Sequence, residues 1–154
     1  MKNYKNFCAS LKNLSEIYEY EEPYNTVTLS GLVGLYGICF DQSWKALKEI
    51  LQTNGYPESS TGSPRMILKT AYQAGLITDE QLWLSAMVSR NNVANAYNSD
   101  IALEIIRQCK SKYYQMFQEL KQEIESGRHV SFLFQCVFVS SVGQRLAFHY
   151  QQQY

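Results

Sequence analysis

Side chains able to exchange a proton near neutrality are scarce in this chain. Its two histidines, His129 and His149, both follow Gly127, so the first 126 residues hold no imidazole to serve as general base, nucleophile activator or metal ligand. Neither metal nor metal catalysis is expected. Carboxylates such as Asp41, Glu49, Glu119 and Glu123 recur at ordinary helical spacings, which suits a solvated face or ion pairs better than acid–base work. Serines occur without a partner base, and neither a Gly-x-Ser-x-Gly elbow nor a phosphate-binding Walker loop is present. The polar stretch from Arg90 to Asn98 (Arg90-Asn91-Asn92-Val93-Ala94-Asn95-Ala96-Tyr97-Asn98) is different: it offers one guanidinium, several amides and a phenol at a junction between helices. Such a set can hold a ligand by hydrogen bonds and charge. Arg90 pairing with a carboxylate, and the asparagines serving as turn and cap residues, are the alternatives.

The elements positioning these residues read as helices. Apolar residues at Tyr4, Phe7, Leu11, Leu14 and Tyr18 keep the three-and-four spacing of one helix face, ending near Glu21-Glu22-Pro23, where proline disfavours helical geometry. Leu29, Leu32, Val33, Tyr36, Phe40, Trp44, Leu47 and Leu51 mark a long second helix that stops at Asn54-Gly55. Gly31, Gly34 and Gly37 each cost that helix about 1 kcal/mol of propensity against alanine, so close approach of another helix backbone, or a bent or delayed start, is expected there. The G-x-x-G-x-x-G they form follows no strand and lacks nucleotide-fingerprint spacing. After the Gly-, Pro- and Ser-rich loop 54–63, Ser63-Pro64 opens a third helix that Gly75 ends, and Thr78 with Gln81 reads as a capping box for a fourth. Asn98 or Ser99 caps a last long helix carrying Ile101, Ile105, Cys109, Tyr113, Phe117, Leu120 and Ile124.

The fold class expected is all-α, an up-and-down antiparallel bundle of four to five helices. At 154 residues one domain is expected: a bundle over 1–126 and an appendage over 127–154. The aromatic, β-branched run Val130–Val139 shows no helical stripe; an added strand, a covering helix, a partner-binding element and an unnatural tail from a disturbed reading frame all remain open. Lys plus Arg equals Asp plus Glu at 14 each, so no bulk field draws the chain to nucleic acid or an anionic membrane, and any nucleotide contact must be local. No apolar run reaches a signal segment or the ~18–20 residues of a membrane span, and a cytoplasmic location is expected. Cys8, Cys39, Cys109 and Cys136 are far apart and read as reduced thiols.

Three ordered strings resemble one family. Ser63-Pro64-Arg65-Met66-Ile67-Leu68-Lys69-Thr70-Ala71-Tyr72-Gln73-Ala74-Gly75-Leu76-Ile77 is similar to its S-P-R-x-x-[IL]-[RK]-x-A-[FY]-x-x-G-[LW]-I run. Phe40-Asp41-Gln42-Ser43-Trp44-Lys45-Ala46-Leu47-Lys48 is similar to its aromatic, acidic, W-K-x-[LM]-K helix, and Trp83, Met87, Arg90 and Asn91 lead to Tyr97. Over nearly all of residues 1–125 the chain resembles the nucleotidyltransferase substrate-binding proteins, bundle relatives of the HEPN superfamily.

The resemblance implies a homodimer that binds a small nucleotidyltransferase subunit in a two-component, toxin–antitoxin-like system, with a nucleotide or RNA as possible ligand, no cofactor and no membrane contact. It also implies a motif of arginine, four residues, then histidine at the dimer cleft. Arg90 keeps the first position, and Asn95 stands at the second. In the ribonuclease members a 2′-hydroxyl attacks phosphorus, which needs a proton acceptor and a cation. Arg90 supplies the cation, but Asn95 cannot exchange a proton, a loss of about 10²- to 10⁴-fold. A chain that binds without cleaving is therefore expected, with no catalytic residue assigned. Arg90, Asn91, Asn95 and Tyr97 become the nucleotide- or substrate-binding candidates; Tyr36, Phe40, Asp41, Trp44 and Arg65 become the dimer or partner interface. A degenerate metal-independent ribonuclease and a purely structural interaction bundle are the competing readings.

Overall fold

The computed structural model describes residues 1–56 and 60–129. Its elements are α1 (Lys2–Leu14), extended by a 3-10 turn Ser15–Glu19, α2 (Thr26–Thr53), α3 (Pro64–Gln73), α4 (Glu80–Asn91), α5 (Ser99–Gln108) and α6 (Tyr114–Glu125). A π-helical stretch, Cys109–Tyr113, joins α5 to α6 without a break, so the last two labels are halves of one helix. The described residues form an all-α bundle without a strand. Cys136, His149 and nearly all of the expected 127–154 appendage lie outside the described residues.

Local chemistry sets the helix ends. Asn25 caps α2 by accepting from the Thr28 amide, and Ser63 caps α3 by accepting from Met66, with Pro64 at the first helical position. Gly55 and Gly75 adopt positive φ of 83° and 78°, and the residue after each closes a six-residue hydrogen-bonded loop, Tyr56 N–H to Leu51 O and Leu76 N–H to Ala71 O. For α4 the capping expectation needs correction. The cap is Asp79, whose carboxylate accepts from Leu82, while Thr78 stays outside the helix. Aspartate here both accepts from the first turn and places negative charge at the positive end of the dipole.

Helix α2 is the central member, packing on α1, α3, α4 and α5, and α1 also meets α6. Phe7, Leu14 and Ile17 from the first helix and its extension meet Tyr36, Phe40, Leu47 and Leu51 of α2, with Tyr113 and Phe117 closing the core. Aromatic contacts tie the layers: Phe7 and Trp83 both meet Phe117 edge-on, and Tyr36 stacks on Tyr113 at 5.6 Å between centroids. The Tyr113 hydroxyl, carried on the π-helical stretch, reaches Ser85 and Ser89 of α4 at 2.8 and 3.0 Å. That stretch has no signature in the apolar periodicity.

The glycine stripe also departs from expectation. A methyl group at Gly31 or Gly34 would meet nothing within 4 Å, so among the described residues no other helix backbone approaches there. Only Gly37 has a neighbour, the Arg90 side chain, whose Nε would lie 3.5 Å from an added Cβ.

Candidate binding groove

Arg90 lies in the last turn of α4 and Asp41 in the middle of α2, separated by 49 residues in sequence. The fold closes that separation. Arg90 Nε donates to Asp41 Oδ1 at 3.0 Å and Nη2 donates to Oδ2 at 2.8 Å, a two-pronged pair in which each side chain keeps 34% of its surface exposed. This hydrogen bonding to Asp41 raises the Arg90 pKa above its already high ordinary value. Both carboxylate oxygens are engaged, while the Nη1 edge of the guanidinium makes no hydrogen bond among the described residues. The pair is thus a fixed cation with donors to spare.

Around it opens a groove of about 600 Å³. Helix α2 supplies Phe40, Asp41, Trp44 and Lys45; the start of α3 supplies Ser63, Pro64 and Arg65; the end of α4 supplies Met87, Arg90 and Asn91. Spacing explains the α2 and α4 contributions, since residues three and four apart share a helix face: Asp41 with Lys45, Met87 with Arg90 and Asn91. The Ser63 cap fixes the first turn of α3 and thereby the position of Arg65.

The structure brings together residues that sequence reading had divided between two roles. Arg90 and Asn91, assigned to a ligand, share one lining with Asp41, Trp44 and Arg65, assigned to an interface. Lys45 and Met87 were inside the matched strings and were not singled out; their helical spacing from Asp41 and Arg90 was the available signal. Tyr36 is fully buried, and Phe40, which backs the groove, is only 1% exposed, so both serve mainly as core residues in this arrangement. The Tyr36 hydroxyl instead donates to the Ala86 carbonyl, and burial pushes its phenol well above the ordinary value. Asn95 and Tyr97 do not line the groove: Asn95 ends an exposed 3-10 turn, Asn92–Asn95, and Tyr97 stands 91% exposed beyond it.

His129 sits elsewhere. Its ring nitrogen lies 2.6 Å from Glu123 Oε1, and its carbonyl accepts from Asn54 Nδ2 at the C-terminal end of α2. Asn54 is 13 residues beyond Asp41, about 20 Å along the helix axis. The groove therefore lacks an imidazole among the described residues, and its lining offers three cations, the Asn91 amide, the capping hydroxyl of Ser63 and one engaged carboxylate. Such a set can hold an anion by charge and hydrogen bonds. No group of three or more His, Cys, Asp or Glu able to hold a metal occurs among the described residues, and no described helix is long and apolar enough to cross a membrane.

Two solved structures share the architecture. A protein from Thermus thermophilus superposes with a TM-score of 0.64 at 22% identity, over 74% of this chain and 94% of its own. A Haemophilus influenzae protein, described as revealing the fold of a substrate binding domain of a nucleotidyltransferase, superposes with a TM-score of 0.69 at 17% identity, over 79% of this chain and 98% of its own. At these identities the likeness speaks for the fold. No curated protein sequence matches the chain. The family model described as "nucleotidyltransferase substrate binding protein like" matches residues 2–126, from the first turn of α1 through the end of α6, and the chain belongs to that family.

Proposed function

We propose that this chain is the substrate- or partner-binding subunit of a two-component nucleotidyltransferase and performs no bond-breaking of its own. The observation carrying this reading is the Arg90–Asp41 pair at the wall of an open groove whose lining holds three cations and the Asn91 amide and, among the described residues, no imidazole. A cation held in place by a carboxylate stabilises bound negative charge, whereas cleavage of RNA also needs a group that takes up a proton near neutrality. Asn95, at the position where the resemblance expects histidine, is an amide on an exposed turn outside the groove lining.

Within this reading the chain acts as a cytoplasmic homodimer in a toxin–antitoxin-like pair. The test is to look for a minimal nucleotidyltransferase encoded beside this chain and to co-express it with the tagged chain. Stable co-purification is expected, and light scattering of the chain alone should give twice the monomer mass. Failure of the two proteins to co-purify overturns the partner assignment. RNA cleavage by the purified chain in EDTA, abolished by Arg90→Ala, overturns the non-catalytic part in favour of a ribonuclease.

A further inference from the structure

We propose that residues 130–139 of this chain fold back into a second groove, between α6 and the turn joining α3 to α4, and cover it.

The last described residues aim the chain there. After α6, Gly127 takes a positive φ of 72°, and the chain turns back on the helix it has just left. Arg128 returns to Glu123 with a two-pronged hydrogen bond, and the His129 ring nitrogen lies 2.6 Å from the same carboxylate. The His129 carbonyl accepts from Asn54 at the end of α2, and its ring rests beside Gly75, 3.7 Å from where a Cβ would lie. Contacts to α6, α2 and the end of α3 thus hold the exit of the chain against one end of the bundle.

Two spaces adjoin that exit. One, among Met1, Ile50, Leu76, Ile124 and His129, is about 10 Å³, too small for a further side chain. The other is a groove of about 320 Å³ whose wall includes Arg128 itself. Its floor is made by the outer edges of core side chains, Leu76, Ile77, Trp83, Met116 and Leu120. Exposed Thr78, Glu119 and Gln122 give its rim a hydroxyl, a carboxylate and an amide, groups that can pair with the main chain of an incoming segment.

The sequence supplies the occupant. Residues 130–139 include no charged side chain and carry Phe132, Leu133, Phe134 and Phe138, which gain by leaving water. Their reach is sufficient. Met116, at the far end of the groove, lies seven residues before Glu123, about 10 Å along α6, a span that three or four extended residues cover. Phe132, Leu133 and Phe134 therefore fall within its length. Tethering favours this segment over the same segment of a second copy, because a short connection through His129 gives it an effective concentration of roughly millimolar. The family match ends at residue 126, so this docking stands apart from the partner assignment.

Hydrogen exchange of the full chain, read by mass spectrometry, tests it. Amides of residues 130–139 are expected to exchange at least about tenfold more slowly than in an unfolded chain, and equally at low and high protein concentration. Phe132→Ser combined with Phe134→Ser should abolish the slowing. In a Trp44→Phe background, where Trp83 is the one remaining tryptophan, the same pair of changes should raise quenching by acrylamide. Thr78→Trp and Gln122→Trp, one on each side of the groove, fill it from the rim and should each release the segment. Gln73→Trp, exposed on α3 and outside the lining, should not. All three of these sites are on the surface, so circular dichroism of the variants should match the parent.

Free exchange of residues 130–139 in the parent overturns the proposal. Slowing that survives both Thr78→Trp and Gln122→Trp also overturns it, since the segment is then covered elsewhere. Slowing that grows with protein concentration gives the groove to a second copy, and overturns its assignment to the chain's own segment.

Discussion

Replacing Gly31 and Gly34 by alanine should stabilise the protein. Both lie inside α2, and nothing stands within 4 Å of where either methyl group would go. Each substitution removes the conformational freedom that glycine brings to the unfolded chain and recovers about 1 kcal/mol of helix propensity. The two positions are one helical turn apart, so the gains add only approximately, giving at most about 2 kcal/mol for the double variant, roughly a thirtyfold change in the folding equilibrium. For a urea dependence of about 1–3 kcal/mol per molar, the unfolding midpoint should move up by about 1 M. Gly37→Ala should gain less, because its methyl group would touch the Arg90 side chain at 3.5–3.7 Å. The assay is urea unfolding followed by circular dichroism at several protein concentrations. A midpoint that falls in the double variant, or a stability gain that turns into weakened self-association, refutes the reasoning. Either result would mean that a helix backbone does pack along this stripe in the working assembly.

Tyr113→Phe should cost about 1 kcal/mol, since it removes the hydroxyl that bridges Ser85 and Ser89 while keeping the ring stacked on Tyr36; urea unfolding reads this, and an unchanged midpoint rejects the bridge. Glu125, bonded to Lys121 and Tyr4, has its carboxyl held below the ordinary 4.5, chiefly by the Lys121 hydrogen bond. A carboxyl lowered in the folded state contributes stability above its unfolded pKa and loses it as pH falls through the folded one. The stability gap between the parent and Glu125→Gln should therefore be widest near neutrality and close below about pH 4.5, as followed by urea unfolding across pH 3–7. Burial pushes the Cys39 thiol up to about 12 and the Cys109 thiol above its ordinary value, so mass-mapped alkylation at pH 8 should modify half-buried Cys8 well before either. Early labelling of Cys39 would show that the core opens more readily than its packing implies.

Most of the fold was readable because its causes are local. A three-and-four apolar spacing, a serine before a proline and a glycine after the last apolar residue act over a few residues, so α2, α3 and the α5–α6 helix fall where these signals place them. The misreadings were local competitions that sequence could not arbitrate. Thr78 and Asp79 are adjacent and both able to cap, and the backbone at Asp79 decided between them. The π-helical stretch at Cys109–Tyr113 carries the Tyr113 hydroxyl that meets α4, a long-range contact with no periodic trace.

The groove divides in the same way. Its members were visible as residue types: Arg90 and Asn91 in a polar junction, Asp41, Trp44 and Lys45 on one helix face, Arg65 behind a cap. Sequence by itself determined that these residues lie on helices, on which turns, and that no histidine accompanies them before Gly127. Only the tertiary structure decided that Arg90 spends its charge on Asp41, that Lys45 and Arg65 face the same space, and that Tyr36 and Phe40 turn inward. The physical reason is range. Hydrogen bonding within a turn is written in neighbouring residues, whereas an ion pair spanning 49 residues exists only once packing of α2 against α4 has brought its ends together.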